Sequence, residues 1–222
     1  SAQLAAPATP EPIENELTAY PNSTFFRVLR PDLRRCVYPL CGGFFTARVN
    51  QAMTTCSDGV AQPECRILEF DYSTLKLDAA SQDKLRDSVE KGQALLRGAI
   101  RKTAPIAGKT YDKLVVLEAW TARALSTPSG TFVRTNALPL ACPACATFQH
   151  GVLNRSTTAK THSVVFDATR FSATLSAELL KAIQSQPEGV LTAGVSTTFA
   201  PRKRISLRRS MLKFSDIVTT SG

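Results

Sequence analysis

Six cysteines fall in three close pairs, Cys36/Cys41, Cys56/Cys65 and Cys142/Cys145, and thiols at such spacings support two chemistries. In an oxidising compartment they close short disulfide loops, Cys36–Cys41, Cys56–Cys65 and Cys142–Cys145; in a reducing one they bind metal or exchange electrons. Cys36, Cys41, Cys142 and Cys145 could form a four-thiolate zinc site if the two halves of the chain met face to face. Against zinc, Pro139-Leu140-Ala141 ahead of the second pair is apolar, where zinc knuckles are polar and glycine-rich. Cys142 and Cys145 lead into a strand pattern, so no helix N-terminus is expected to lower a thiol pKa for redox work. Disulfides are the preferred reading. They carry an extracellular, periplasmic or outer-envelope location, with no metal and no cofactor expected.

Acid–base chemistry would have to come from elsewhere. Asp71 and Asp167 stand at matched strand ends and could converge as paired carboxylates in a hydrolase of exported polymers. The plainer role for an aspartate there is to cap its own turn. Only two histidines occur, His150 and His162. No G-x-S-x-G, H-E-x-x-H, phosphate-loop or dinucleotide fingerprint is present. Asn50 and Asn154, also at matched strand ends, are expected to satisfy turn backbone. Phe44, Phe45 and Phe148 are expected in the core.

The net charge of +9 over 222 residues is uneven. Six basic residues, Arg202, Lys203, Arg204, Arg208, Arg209 and Lys213, face one acidic residue, Asp216, in the last 22 positions, a net of +5. Such a stretch could bind an anionic envelope or matrix polymer, or merely guard an edge strand. Nucleic acid is disfavoured, because only Phe214 offers a stacking ring there.

The elements that must hold these residues follow from hydrophobic periodicity. Residues 1–23 carry prolines and alanines without period and read as a disordered leader. Strands are expected at Phe25–Leu29, Phe44–Val49, Arg66–Phe70, Ala94–Ile100 and Leu114–Trp120. A helix is expected from Ser81 as N-cap to Lys91. The second half gives strands near Thr131–Arg134 and Ile205–Phe214, and a helix from Ser176 to Gln186. Spacings recur: Cys41 and Asn50 reappear as Cys145 and Asn154 at an offset of 104, Phe70-Asp71 as Phe166-Asp167 at 96. The fold class expected is therefore α+β, an internal duplication of a β-β-β-α-β-β unit. Each unit would be a mostly antiparallel sheet with one helix, over 24–124 and 125–215, with 216–222 as a tail. No run of eighteen or more apolar residues suggests a transmembrane segment.

Arg30-Pro31-Asp32, Cys36, Pro39-Leu40-Cys41-Gly42-Gly43-Phe44-Phe45, Val49-Asn50, Thr55-Cys56-Ser57-Asp58-Gly59 and Cys65 resemble a bacterial domain family of unknown function. That family occurs mostly in exported proteins and lipoproteins. The resemblance implies export, secreted or lipid-anchored, and no chemistry. The expected function is a secreted or envelope-associated, non-enzymatic binding or structural module. Its cysteine-pinned loops, Leu33–Leu40 and Ala137–Ala144, would contact a protein or an anionic polymer, as an inhibitor's loop does. The alternative is the hydrolase built on Asp71 and Asp167.

Overall fold

Successive residues in a strand point to opposite faces, and here both faces are apolar. Phe25, Leu95, Phe132 and Leu191 pack into one core, while their neighbours Phe26, Leu96, Val133 and Val190 pack into others. A sheet buried on both sides follows. The computed structural model describes residues 20, 23–123, 127–139, 147–161, 163–166, 168, 171–186, 189–198 and 203–213. Most of the expected leader, Cys142, Cys145, His162, Asp167, Arg202 and the 216–222 tail lie outside the described residues.

The first strands are β1 (Thr24–Pro31), β2 (Phe44–Arg48), the short pair β3 (Thr54–Thr55) and β4 (Ala61–Gln62), β5 (Cys65–Ile67) and β6 (Glu69–Asp71). After a 3-10 turn come helix α1 (Ala79–Glu90), β7 (Ala94–Lys102) and β8 (Asp112–Ala122). Then follow β9 (Thr131–Ala137), β10 (Phe148–Val152), β11 (Thr158–Thr161), β12 (Ser163–Phe166), helix α2 (Ala173–Ser185), β13 (Val190–Thr198) and β14 (Lys203–Lys213). Twelve of the strands form one sheet in the order β11-β10-β9-β13-β14-β8-β7-β1-β2-β5, with β12 parallel to β14 and β6 parallel to β8.

The expected α+β fold, a duplicated β-β-β-α-β-β unit with one helix per unit, is corrected by this arrangement. Among the described residues the protein is mostly β, with two α-helices, and strands of both halves, all but the β3–β4 pair, run through one sheet joined where β14 pairs with β8. The β3–β4 hairpin has no counterpart among the described residues of the second half. The spacing pattern reported strand positions; it did not report that strands from both halves share one hydrogen-bonded ladder. Nor is β14 an edge strand, since β13 and β8 flank it.

Local signals shifted as well. Asp78, not Ser81, caps α1: its carboxylate accepts from the Ser81 N–H at 2.7 Å, and that hydrogen bond holds the Asp78 pKa below its ordinary value. The expected strand Arg66–Phe70 is split at Leu68, whose N–H turns to the Asp112 carbonyl.

Helix α1 buries Leu85 and Val89 against β1, β7 and β8, and α2 buries Leu179 and Ile183 against β9 and β13. The face opposite the helices holds Phe25, Val49, Leu95, Trp120, Phe132, Leu153, Leu191 and Ala193. It closes because the sheet curls until the β1 and β9 regions, with four strands between them in the order, meet through side chains. Asn50 donates to the Phe132 and Leu153 carbonyls at 2.7 and 3.0 Å and accepts from the Phe132 N–H at 2.9 Å. Asn154 donates to the Phe25 and Val49 carbonyls at 2.7 and 3.0 Å and accepts from the Phe25 N–H at 2.8 Å. Both have positive φ, 57° and 59°, a region asparagine tolerates. Far from merely capping their own turns, the two asparagines clasp the rolled sheet.

Candidate functional site

β1 and β2 pair in register from Phe26↔Arg48 to Pro31↔Phe44, and the connection between them, residues 32–43, leaves the sheet. Pro31 cannot donate to a ladder, and Gly43 supplies the return. Gly43 has φ +76°, and a Cβ on it would stand 2.2 Å from the Ile67 carbonyl oxygen, so only glycine fits this close approach.

Inside the loop, polar groups are well satisfied. The Asp32 carboxylate, with its side chain 1% exposed, accepts from Arg34 Nε at 2.8 Å and Arg34 Nη2 at 2.7 Å, and Arg66 Nε lies 3.1 Å away. The hydrogen-bonded Arg34 guanidinium holds the Asp32 pKa at about 2. Arg66 also donates to the carbonyls of Pro39 and Gly42 at 2.7 and 3.1 Å. The Asp32 N–H reaches the Gly43 carbonyl at 2.9 Å, and the Leu40 N–H closes a turn on Val37 at 2.9 Å. A Cys36–Cys41 disulfide, Cα–Cα 5.4 Å, ties the middle of the loop to its buried base.

The apolar side chains do the opposite of burying. Leu33 is 82% exposed, Val37 80%, Tyr38 60% and Leu40 55%. Scattered exposed leucines need no explanation, but here four large apolar side chains stand together on one short, braced loop.

The other residues singled out in the sequence have less to offer. Cys56 and Cys65 form the second disulfide, Cα–Cα 5.6 Å, within the core under α1. All four described cysteines are thus paired, so Cys36 and Cys41 supply no thiolates for zinc. Asp71 accepts from Ser73 Oγ at 2.6 Å and pairs with Lys113 Nζ at 3.1 Å. These contacts, the Ser73 hydroxyl first, lower its pKa. That is a turn aspartate with both oxygens engaged; its expected partner Asp167 and the Cys142/Cys145 pair lie outside the described residues. Of the basic stretch, the backbone of Lys203, Arg204, Arg208, Arg209 and Lys213 runs inside the sheet in β14. No group of three or more metal-binding side chains occurs among the described residues, and none of their helices is long and apolar enough to cross a membrane.

Sequence reading marked Leu33–Leu40 as a contact loop but missed the brace beneath it. Arg66 gave no local hint, since its partners lie 24 to 34 positions earlier in the chain. Asp32 could have been suspected, because an aspartate directly before a Leu-Arg-Arg-Cys run sits where a turn must be anchored.

A family model described as Domain of unknown function (DUF6748) matches residues 25–205. No curated protein and no solved structure matches.

Proposed function

We propose, for a chain that belongs to the DUF6748 family, a binding role outside the cytoplasm: the loop from Asp32 to Gly43 docks into an apolar pocket of a partner protein. One observation carries the reading. Leu33, Val37, Tyr38 and Leu40 stand in solvent on a backbone fixed by a disulfide and by the Asp32–Arg34–Arg66 ion pairs. Burying each such side chain in a partner contributes about 1.5–3 kcal/mol. A loop ordered beforehand keeps that gain, because little conformational entropy is lost on association. An inhibitor loop works by this same physics. The two disulfides favour a secreted, periplasmic or envelope setting.

The test uses the full chain, immobilised, against the exported proteins of its source, with a Val37→Asp, Tyr38→Asp variant alongside. The expected result is a discrete protein retained by the wild type and lost by the variant. Equal retention by both, or none by either, ends the reading. Flotation of the wild type with anionic vesicles, abolished in the variant, would reassign the loop to a lipid surface.

A further inference from the structure

The strand alternation that turns Leu95, Trp120 and Phe132 toward the inner core also turns Arg97, Glu118 and Arg134 to that face. Charges on a largely apolar face are expensive to keep unless they are paired or used. Part of the pairing is visible. Arg97 Nη1 lies 2.5 Å from one Glu118 oxygen, and Arg134 Nη2 lies 3.6 Å from the other, which also accepts from the Trp120 indole at 3.2 Å. One carboxylate between two guanidinium groups shows what chemistry these arginines accept.

They are not used up by it. Arg97 and Arg134 line a cleft of about 600 Å³ with Arg48 and Arg155, beside Asn154, and no acidic residue is in that lining. Counting Glu118, the group holds four positive charges against one negative, a net of +3. The Nε–H groups of Arg48 and Arg134 are buried with no hydrogen-bond partner among the described residues. Such donors are costly to leave unmatched. Arg48 also lines two further clefts of about 540 and 580 Å³; the first brings in Arg27 and one acidic residue, Glu64, itself paired with Arg30, and the second brings in Arg101. The positive surface is therefore a groove rather than a single anion pocket.

We propose that this groove binds a linear acidic glycan, its uronate or sulfate groups spaced along the arginines. Guanidinium forks fit carboxylate and sulfate oxygens in pairs. Nucleic acid fits less well, because the aromatic rings beside the arginines, Phe25 and Trp120, are 8% and 1% exposed and cannot stack on bases. The site is separate from the loop at residues 32–43.

Binding of polygalacturonate (carboxylate) and heparin (sulfate) to the full chain is measured at about 50 and 200 mM salt, with polyglutamate and a single-stranded oligodeoxynucleotide as competitors. The wild type is expected to bind at least one glycan, more weakly at high salt, and the better glycan identifies the anion. Arg48→Gln and Arg134→Gln are each expected to weaken it roughly tenfold, the loss of one paired contact. Arg155→Gln, at an exposed residue whose guanidinium also donates to the Asn50 carbonyl at 2.7 and 3.0 Å, repeats the test if either of those fails to fold, with its own folding checked by unfolding. Neutralising Lys203, Arg204, Arg208 and Arg209 together separates the groove from the basic stretch: binding is expected to stay within about twofold, and a loss as large as that of the groove variants overturns the proposal. No glycan binding at low salt overturns the proposal. So does binding that survives the groove variants, or tighter binding of polyglutamate or the oligonucleotide.

Discussion

The β1–β2 hairpin has two ends, and they are built in opposite ways. At one end Phe25 and Val49 are buried and the Asn50 and Asn154 side chains close the rolled sheet. At the other, Asp32, Arg34 and Arg66 are as well satisfied as the asparagines, yet Leu33, Val37, Tyr38 and Leu40 face water. The asparagines at one end and Asp32 at the other are equally well matched; what differs is apolar burial. An exposed apolar loop is commonly a loosely held one, but this loop has a disulfide and a buried carboxylate beneath it. Order without burial is what a surface prepared for another molecule requires.

The largest effect should come from the buried end. Asn50→Ala removes three hydrogen bonds to the other side of the molecule. At about 1 kcal/mol net for each, a loss near 3 kcal/mol is expected in denaturant unfolding. A loss under about 1 kcal/mol would mean that the clasp does not close the sheet and that the two ends are less unlike than described.

Next comes the bond at the exposed end. Replacing both Cys36 and Cys41 by Ala should lower unfolding free energy by about 2 kcal/mol, the entropy of a short closed loop, while abolishing partner capture. Intact capture would show that the brace is dispensable.

A smaller, pH-dependent effect separates the ends electrostatically. The folded-state pKa of Asp32, at about 2, lies below the unfolded value. Its contribution is therefore present above about pH 4, where the unfolded carboxylate is also ionised, and is lost as pH falls towards 2. Amide exchange across 32–43 should accelerate in that window, while the amides of Phe25, held by Asn154, and Phe132, held by Asn50, should not follow. Asp32→Asn should remove the loop's pH dependence; persistence of that dependence would assign it to another group.

How much of this could be read from the sequence depends on distance along the chain. Strands such as Phe44–Arg48 and Asp112–Ala122 follow from local alternation, and the cysteine spacing pointed to the loop at residues 33–40. Asn50 was read as a local turn residue because nothing near it reveals Phe132, 82 positions away. The repeated spacings suggested a duplicated unit and left open whether the halves share a sheet; the β8–β14 pairing makes one sheet of both. The arginine groove was overlooked for a similar reason. The basic residues at 202–213 are dense and catch the eye, while Arg48, Arg97, Arg134 and Arg155 are scattered and meet only when the sheet rolls.

The smallest expected change in stability is also the most direct test of the loop's role. Val37→Asp with Tyr38→Asp alters side chains that touch little, so its unfolding free energy should stay within about 0.5 kcal/mol of wild type. Partner capture by that variant, measured once its stability has been matched to the wild type, should be lost. Capture at the wild-type level by the folded variant would contradict the claim that this end of the hairpin is a prepared docking surface.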